Sequence, residues 1–311
     1  MRAFIFPGQG SQAVGMGKAL AEASAVARAV FQEVDEALGQ HLSRLMFDGP
    51  GEELQLTENA QPAIMANAIA TLRVLEKEGG IRLADKADYV AGHSLGEYSA
   101  LCAAGALDLA TTALLLKHRG LAMQAAVPVG EGGMAALLGA DVDKARIIAN
   151  AAAEGQVCTV ANDNDPSQVV ISGALAAIER AVNIAREYGA KRAILLPVSA
   201  PFHCPLMQPA ADAMEKALAE ARIDTPLVPV FANVTAQPVS DVDTIRRLLV
   251  EQVTGMVRWR ESVLAMADTG VERFVEFGGK VLAPMVKRIT PDVDAISVVT
   301  MDDIEALAKS L

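Results

Sequence analysis

Cysteine, aromatic side chains and positive charge are all scarce in this chain of 311 residues. The three cysteines, Cys102, Cys158 and Cys204, are odd in number and widely spaced, which argues against a disulfide framework and against a CxxC metal site. We therefore expect a reducing, cytoplasmic location. Because aromatic residues make up only 4% of the chain and hydrophobic residues 52%, the core must consist mainly of Ala, Val, Leu, Ile and Met.

The shortage of positive charge leaves a formal net charge of −11. Nucleic acids and anionic membranes would be repelled by the average surface of such a chain, so we expect neither as a partner. No uninterrupted apolar run reaches the length of a membrane span. The apolar stretch at 3–6, which follows Arg2, is too short for a signal peptide.

The length and the hydrophobic pattern of the chain predict an α/β protein of two domains. The chain exceeds the usual size of a single domain, so we expect one large α/β domain with a smaller partner. We assign residues 1–128 and 197–311 to a large domain of the α/β-hydrolase type. Its N-terminal part is predicted to contain a strand at 3–6, one long amphipathic helix between Gly17 and Gly39, a helix that begins at Pro62, a strand at 88–91 and a helix at 109–126.

Residues 129–196 show a different pattern and are predicted to form the smaller domain. Its elements follow the order βαββαβ, which is typical of a ferredoxin-like fold. Gly132 and Gly133 near its start and Pro197 after it mark hinges, so the small domain is inserted into the large one. The predicted elements are strands at 134–138, 157–162, 168–172 and 190–196 and helices at 141–153 and 175–188, and strands near 228–233, 273–277 and 296–299 then return to the large domain.

Ser94 is the centre of the most informative motif of the chain, residues 91–97, which contain the pattern G-x-S-x-G. A predicted strand precedes the motif and helix-forming residues follow it, as in a nucleophile elbow. Such a turn lifts the serine hydroxyl clear of the backbone and directs helix N-terminal amides towards a reacting carbonyl oxygen. Gly92 and Gly96 allow neighbouring backbone to pack closely against it. The alternative is a glycine-rich loop with a solvated serine.

A serine hydroxyl becomes a good nucleophile only when a base removes its proton, and the chain offers four histidines for that role. His93 neighbours the serine in a tight turn, where adjacent side chains diverge. His118 lies on a predicted helix, and His41 stands between polar residues. His203 follows a predicted strand in a proline-rich segment, and a serine that precedes its histidine is the order of the α/β-hydrolases. His203 is therefore the candidate base.

No carboxylate stands in the usual place for the third member of a catalytic triad. Asp163 and Asp165 precede His203, but they fall in a predicted turn of the small domain. We therefore expect a backbone carbonyl to orient the imidazole. A neutral partner of this kind fixes the tautomer of the ring without stabilising the imidazolium as strongly as a carboxylate does.

Four separated motifs together resemble the malonyl-CoA:acyl carrier protein transacylases, and the resemblance covers nearly the whole chain. The motifs occur in the order and spacing of that family, and they are residues 6–12 (FPGQGSQ), residues 92–97 (GHSLGE), Arg119 and residues 201–203 (PFH). The resemblance implies an acyltransferase that acts without a metal or redox cofactor, as a monomer.

The same resemblance implies a role for each residue of the site. Ser94 is implied to be the acylated nucleophile and His203 the general acid and base. Phe202, which precedes this histidine, is implied to favour malonyl over the bulkier methylmalonyl group. The remaining implied roles are the carbonyl of Gln252 as the orienter of the histidine, the backbone amides of Gln9 and Leu95 as an oxyanion hole, and Arg119 and Asn162 as further substrate-binding residues.

Arg119 separates this interpretation from that of a plain esterase. A guanidinium can bind a carboxylate through two parallel hydrogen bonds, so an arginine in the acyl pocket selects a half-thioester of a dicarboxylic acid over acetyl groups. Without the resemblance, Arg119 would be read as a charge on the surface of a helix.

The implied reaction has two steps. Ser94 takes the malonyl group from malonyl-CoA, and the phosphopantetheine thiol of a holo acyl carrier protein collects it for fatty acid biosynthesis. One alternative is the same fold in polyketide synthesis or in a malonate decarboxylase. The others are a serine hydrolase, in which water takes the acyl group, and a carrier-protein binder without catalysis.

Residues 8–13 also match the glycine fingerprint G-x-G-x-x-A of dinucleotide-binding folds. That fold needs a second strand that ends in an acidic residue about 20 residues later. The corresponding region is predicted to be helix, with Glu33 and Asp35 inside it. We therefore expect no dinucleotide site.

Overall fold

The computed structural model describes all residues from Met1 to Leu311, and the backbone forms two β-sheets flanked by helices. None of the helices is both long enough and apolar enough to cross a bilayer. The strands are β1 (Arg2–Phe6), β2 (Tyr89–Gly92), β3 (Gly132–Leu138), β4 (Cys158–Asp165), β5 (Gln168–Ala174), β6 (Arg192–Leu195), β7 (Val230–Ala232), β8 (Gln237–Val239), β9 (Arg273–Phe277) and β10 (Asp294–Val298). The helices are α1 (Lys18–Ala23), α2 (Ala25–Leu38), α3 (Leu42–Asp48), α4 (Gly51–Gln55), α5 (Thr57–Lys77), α6 (Leu83–Lys86), α7 (Gly96–Ala103), α8 (Leu109–Ala125), α9 (Val142–Ala153), α10 (Leu175–Ile184), α11 (Gln208–Glu220), α12 (Val242–Thr254), α13 (Trp259–Asp268), α14 (Leu282–Ile289) and α15 (Met301–Ser310).

The larger sheet has the strand order β10-β9-β1-β2-β7-β8, and only the edge pair β7 and β8 is antiparallel. The chain goes from β1 to β2 on one side and later returns beside β1 as β9 on the other. The carboxyl end of β1 therefore lies at a topological switch point, where ligands bind in open α/β sheets. Phe6 pairs with Gly92, so the loops that leave β1 and β2 begin side by side.

The smaller sheet has the order β4-β5-β3-β6 with every neighbouring pair antiparallel. Helices α9 and α10 pack their apolar residues, among them Ile148 and Ile178, against Leu137 and Ile171 of this sheet. The order and the two helices are those of a ferredoxin-like domain. The predicted fold class, a large α/β domain with a small antiparallel domain inserted, is therefore confirmed.

The predicted single helix between Gly17 and Gly39 is wrong, because the structure divides it into α1 and α2 at Ser24. Ser24 has an extended backbone, and its hydroxyl accepts a hydrogen bond from the backbone N–H of Ala27 at 3.2 Å. A serine in this position satisfies one of the free amides at a helix start, so a new helix begins there. Gly39 ends α2 as predicted, with a left-handed φ of 59°.

Helix α5 begins five residues before the predicted start at Pro62. The extra turn is stabilised by tertiary packing against α8, since a Cβ atom on Gly120 would lie 2.5 Å from Cα of Glu58. Only glycine allows this close approach of the two helix backbones. A contact between residues so distant in sequence leaves no local signal at residues 57–61.

The placement of Asp163 and Asp165 in a turn is also wrong, because β4 continues to Asp165 and both side chains are buried. They form ion pairs with helices of the large domain. The guanidinium of Arg260 on α13 lies 2.9 Å from Asp163, and Arg288 on α14 lies 2.8 Å from Asp165. Backbone bonds from Asp163 to Val257 and from Val257 to Ala161 complete the junction. This edge of the small domain is thus fixed to the large one.

Replacing Asp163 by Asn is expected to lower the free energy of unfolding by about 2–3 kcal/mol, because the partly buried guanidinium of Arg260 loses its negative partner and one of its acceptor oxygens. Urea denaturation followed by circular dichroism measures the change. The matched control is Asp48→Asn, which removes the exposed pair with Lys18 and should cost less than about 1 kcal/mol. Equal losses of unfolding free energy in the two variants would show that the buried ion pair stabilises the fold no more than the exposed one does.

Candidate active site

The motif around Ser94 forms a sharp turn between the end of β2 and the start of α7. Ser94 has a φ of 55°, in the left-handed region that residues other than glycine rarely occupy. Gly92 and Gly96 make the turn possible, because a Cβ atom on Gly92 would lie 1.9 Å from the backbone of Gly96. A Cβ atom on Gly96 would lie 2.2 Å from the carbonyl oxygen of Phe6. The turn therefore has the geometry of a nucleophile elbow and packs against the end of β1.

His203 lies between β6 and α11, and its Nε2 is 2.7 Å from Oγ of Ser94. It has a left-handed φ of 56°, so the loop is strained at this residue too. No other histidine bonds to the serine. His41 and His118 are exposed, and His93 bonds to a residue of the small domain. The structure thus brings together the serine and the histidine that sequence reasoning selected.

A backbone carbonyl faces the other side of the His203 ring. Its Nδ1 lies 2.9 Å from the carbonyl oxygen of Gln252 on α12. Because a carbonyl can only accept, Nδ1 carries the proton of the neutral ring, and Nε2 accepts a hydrogen bond from the hydroxyl of Ser94. The ring is therefore oriented to take the serine proton.

Burial, and after it the positive charge of Arg119, lower the pKa of His203 to about 3. The bond to the carbonyl of Gln252 opposes this shift only in part. The imidazole is consequently neutral at physiological pH and available as a base. No carboxylate stabilises its protonated form through Nδ1.

Arg119 is buried on α8 beside Ser94, with 1% of its surface exposed. Its Nη2 donates to Oγ of Ser94 at 3.1 Å and to Oε1 of Gln252 at 2.7 Å. Its Nη1 donates to Oε1 of Gln61 at 2.8 Å, and its Nε has no hydrogen-bond partner. Arg119 takes part in none of the ion pairs of the chain.

A guanidinium that is buried without a carboxylate partner is unfavourable, because its desolvation is not compensated by an opposite charge in contact. Burial accordingly lowers the pKa of Arg119, against the opposing influence of Tyr98 and Glu97. A ligand that carries a carboxylate would supply the missing charge to a planar fork of donors. The surroundings of Ser94 are therefore suited to an acyl group with a free carboxylate.

Gln9 and Leu95 lie on the two loops that meet at the elbow. A Cβ atom on Gly8 would lie 2.6 Å from the carbonyl oxygen of His93, which shows how closely the loop after β1 runs along the turn. The backbone N–H groups of Gln9 and Leu95 donate to no group of the protein. The side chain of Gln9 is held by Thr57, whose Oγ1 lies 3.1 Å from its Oε1. Two free amides thus stand on the loops that flank Ser94.

Phe202 and Asn162 are both buried, but only Phe202 adjoins a reactive side chain. It precedes His203 and packs in the main hydrophobic core. Asn162 lies on β4, where its backbone forms a bridge with Val257, and its side chain bonds to none of the site residues. Its neighbour Asn164 instead reaches the elbow, with Oδ1 2.7 Å from Nε2 of His93.

Sequence reasoning missed the polar side chains that hold the site together. Gln61 contacts Arg119, and Asn233 accepts a hydrogen bond from the backbone N–H of Ser94 at 2.8 Å. Glu97 accepts from the side chain of Gln252. Gln61 had no local signal, since it follows the polar residues Thr57, Glu58 and Asn59. Asn233 had none, because its role arises from a contact 139 residues away in sequence.

A cleft of about 490 Å³ runs between the two domains close to the loops of the site. On the side of the large domain it is lined by Gln55 and Leu56, which precede Thr57 of the Gln9 contact. On the other side it is lined by residues of the domain hinges and of the small domain beside them: Val129, Gly130, Gly132, Gly133, Leu175, Leu195, Leu196, Pro197, Val198 and Ser199.

No group of three metal-binding side chains is present.

The ring nitrogens of His203 are expected to keep the signature of a neutral imidazole from about pH 8 down to about pH 5, because the pKa is about 3 where a free histidine titrates near 6.5. Heteronuclear NMR of protein labelled with ¹⁵N-histidine measures this, and the His203→Ala variant assigns the signals. A transition of these signals near pH 6.5 would show that burial does not suppress protonation.

The comparisons with known proteins agree with this geometry. Residues 3–292 match the family described as acyl transferase domain. The malonyl CoA-acyl carrier protein transacylase of Bacillus subtilis (strain 168) is 45% identical over 99% of this chain and 96% of that relative. An acyl-carrier-protein-S-malonyltransferase from Bartonella henselae superposes with a TM-score of 0.97 at 52% identity, covering 99% of this chain and 98% of that one. A malonyl-transacylase solved in complex with a type II PKS acyl-carrier protein superposes with a TM-score of 0.96 at 39% identity, covering 100% and 99%. The chain belongs to the acyl transferase domain family and, within it, to the malonyl CoA-acyl carrier protein transacylases.

Proposed function

We propose that this chain transfers the malonyl group of malonyl-CoA to the phosphopantetheine thiol of a holo acyl carrier protein, through a malonyl ester on Ser94. The observation that carries the proposal is the position of Arg119. Its guanidinium is buried without an ion-pair partner and donates to Oγ of Ser94 at 3.1 Å. The malonyl group has the free carboxylate that such a guanidinium lacks. The family to which the chain belongs supports the same reaction.

In the first half of the reaction, Nε2 of His203 takes the proton of Ser94 while Oγ attacks the thioester carbonyl carbon of malonyl-CoA. The backbone amides of Gln9 and Leu95 then donate to the oxyanion of the tetrahedral intermediate. When the carbon–sulfur bond breaks, the CoA thiolate takes the proton from His203 and leaves as the thiol. Ser94 now carries the malonyl group as an oxygen ester.

In the second half, the carrier-protein thiol gives its proton to His203 and attacks the ester carbonyl of malonyl-Ser94. The same two amides stabilise the second oxyanion. Oγ of Ser94 leaves and recovers the proton from His203, so the enzyme returns to its starting state. One histidine thus serves as base and acid in both halves, which requires that it be neutral between them.

Binding of the malonyl carboxylate also tunes the base. The positive charge of Arg119 is the second cause, after burial, of the low pKa of His203. A carboxylate paired with this guanidinium cancels much of that charge, so the pKa of His203 rises when malonyl is bound. The histidine is therefore a stronger base with a malonyl substrate than with an acetyl substrate.

The cleft between the domains is the proposed route for the pantetheine arm. Leu56, Val129 and Leu195 line it and are 46%, 75% and 46% exposed, so the cleft presents apolar surface to solvent. The pantetheine chain has apolar methylene and methyl groups between its amides. A flexible arm of this kind reaches the half-buried Ser94 without entry of the carrier protein itself.

The preference for a thiol acceptor over water distinguishes the proposal from a serine hydrolase. The imidazolium of His203 is faced by the carbonyl of Gln252, which stabilises the charged ring less than a carboxylate does. A thiol is more acidic than water and needs less help from the base. The malonyl ester is therefore expected to persist until a thiol arrives.

We propose further that the enzyme acts in the cytoplasm, as a monomer, without a metal or redox cofactor, and in fatty acid biosynthesis. The scattered cysteines support the reducing location. A carrier protein of polyketide synthesis is the second candidate acceptor, favoured by the likeness to the transacylase solved with such a carrier. Parallel transfer assays with the two kinds of carrier protein, and size-exclusion chromatography with light scattering, test these points.

Ser94→Ala is expected to abolish the malonyl adduct while the protein stays folded, since only one oxygen is removed from the turn. Intact-mass spectrometry after incubation with malonyl-CoA measures the adduct, and addition of holo carrier protein should discharge it from the wild type. Ser99→Ala is the control, because Ser99 lies on α7, the helix that follows the turn, and its buried hydroxyl has no hydrogen-bond partner. An adduct on the Ser94 variant would disprove the assignment of the nucleophile.

Arg119→Ala is expected to lower malonyl transfer at least about tenfold, because a charge-assisted contact of roughly 1.5–3 kcal/mol is lost. Acetyl transfer should hold or rise, since an acetyl group has no carboxylate to leave unpaired. Steady-state kcat/KM for both acyl-CoA substrates measures the preference.

The Arg119→Lys variant is the control for charge without geometry. An ammonium group supplies the positive charge but not the planar fork, so only part of the malonyl preference should remain. Equal losses of malonyl and acetyl transfer in Arg119→Ala would show that Arg119 is structural and would remove the main support for the malonyl assignment.

A further inference from the structure

Glu97 is a buried carboxylate that takes no direct part in the proposed reaction. It lies three residues after Ser94 on α7 and is 3% exposed. It forms no hydrogen bond with Oγ of Ser94, with His203 or with Arg119. Its Oε2 instead accepts from Nε2 of Gln252 at 2.8 Å and from the backbone N–H of Asn233 at 3.2 Å.

Both the NH₂ group and the carbonyl oxygen of the Gln252 side chain form hydrogen bonds. Its Nε2 donates to Glu97 and to the carbonyl oxygen of Ser94, the latter at 3.0 Å. Its Oε1 accepts from Nη2 of Arg119 at 2.7 Å. The reversed orientation of the amide would place an NH₂ group against the guanidinium, and two donors cannot bond to each other. The direction of this amide therefore decides whether Gln252 adds its hydrogen bond to those with Gln61 and Ser94 that hold Arg119.

Glu97 is one of the acceptors that fix this direction, together with the carbonyl oxygen of Ser94. The carboxyl oxygen of Glu97 accepts the shorter of these two hydrogen bonds from the NH₂ end of Gln252. Asn233, the second partner of the same oxygen, is itself bonded to the elbow: its Oδ1 accepts from the N–H of Ser94, and its Nδ2 donates to the carbonyl of Gly92 at 2.7 Å. One oxygen atom thus anchors both the elbow and the residue that holds Arg119.

We infer that Glu97 is a positioning residue that holds Arg119, through the amide of Gln252, in the place where it selects acyl groups with a free carboxylate. The inference rests on the proposed function and adds to it a specificity determinant that does not touch the substrate. Loss of the acceptor at residue 97 should therefore lower kcat/KM for malonyl transfer more than kcat/KM for acetyl transfer.

Residue 97 must accept a hydrogen bond from Gln252, but it need not carry a negative charge to do so. Burial raises the pKa of Glu97 to about 7, and hydrogen bonds from Gln252 and Asn233 and the charge of Arg119 oppose that rise. The carboxyl group is therefore present in both forms near neutral pH. Either form keeps an acceptor oxygen for Gln252, because a protonated carboxyl retains acceptor capacity.

The test compares two variants of nearly the same length. Glu97→Met removes the acceptor and keeps the volume, whereas Glu97→Gln removes the charge and keeps an acceptor oxygen. In Glu97→Met, kcat/KM for malonyl transfer to the holo carrier protein should fall at least about tenfold more than kcat/KM for acetyl transfer, so the malonyl-to-acetyl ratio drops. In Glu97→Gln, the malonyl-to-acetyl ratio should stay within threefold of wild type. Thermal unfolding by circular dichroism checks the fold of each variant.

The ratio of the two substrates is the readout that a merely structural role would not move. An unchanged malonyl-to-acetyl ratio in Glu97→Met, whether both activities fall equally or neither falls, would overturn the inference. A ratio as low in Glu97→Gln as in Glu97→Met would show that charge, not the acceptor, is required, and would overturn it too. If Glu97→Met does not fold, Glu97→Asp, which draws the acceptor back by one methylene, must lower the ratio, or the inference fails.

Failure of the inference and failure of the proposed function give different results. A wild-type enzyme that prefers malonyl and loses this preference in Arg119→Ala but keeps it in Glu97→Met refutes the role of Glu97 alone. A wild-type enzyme that shows no preference for malonyl refutes the proposed function and, with it, the inference.

Discussion

The structure of the site depends on one electrostatic constraint, the burial of the Arg119 guanidinium beside the Ser94 hydroxyl without a carboxylate in contact. Every donor of this guanidinium that has a partner bonds to a neutral oxygen, on Gln61, Gln252 or Ser94 itself. Neutral acceptors hold the group in place but leave its charge uncompensated, so an anionic ligand gains more here than it would at a surface ion pair. The same charge helps to keep the imidazole of His203 neutral and ready to act as a base.

Gln252 contacts both His203 and Arg119. Its backbone carbonyl orients His203, and its side-chain oxygen holds Arg119, so the base and the cation are set by a single residue of α12. In a triad the orienting residue is a carboxylate that adds negative charge next to the histidine. A carboxylate in that place would also pair with the nearby guanidinium and compete with the substrate. The use of a neutral orienter therefore leaves the positive charge of Arg119 available.

Local sequence was sufficient for much of the fold and for selecting Ser94 and His203, which the structure places 2.7 Å apart. The elbow could be predicted because its two glycines and its strand-to-helix context are contained in a short segment, and the small domain because its six elements alternate with clear hydrophobic periods. Two errors had different origins. Ser24 caps a new helix through a local hydrogen bond from Ala27, although the apolar period continues through it. Asp163 and Asp165 look like turn residues until the arginines of α13 and α14, distant in sequence, pair with them in the interior.

The sequence by itself determined which chemistry is available: a serine in a turn, four histidines of which one stands in a suitable loop, and an arginine on a predominantly apolar helix. It did so because residue type and local period are enough to recognise a turn, a strand or a helix. Only the tertiary structure decided that these groups meet within 3.1 Å of one serine oxygen and that Glu97, Asn233 and Gln61 hold them there. Hydrogen-bond partners that are 58 to 155 residues apart leave no local pattern, because their pairing is set by how strands and helices pack.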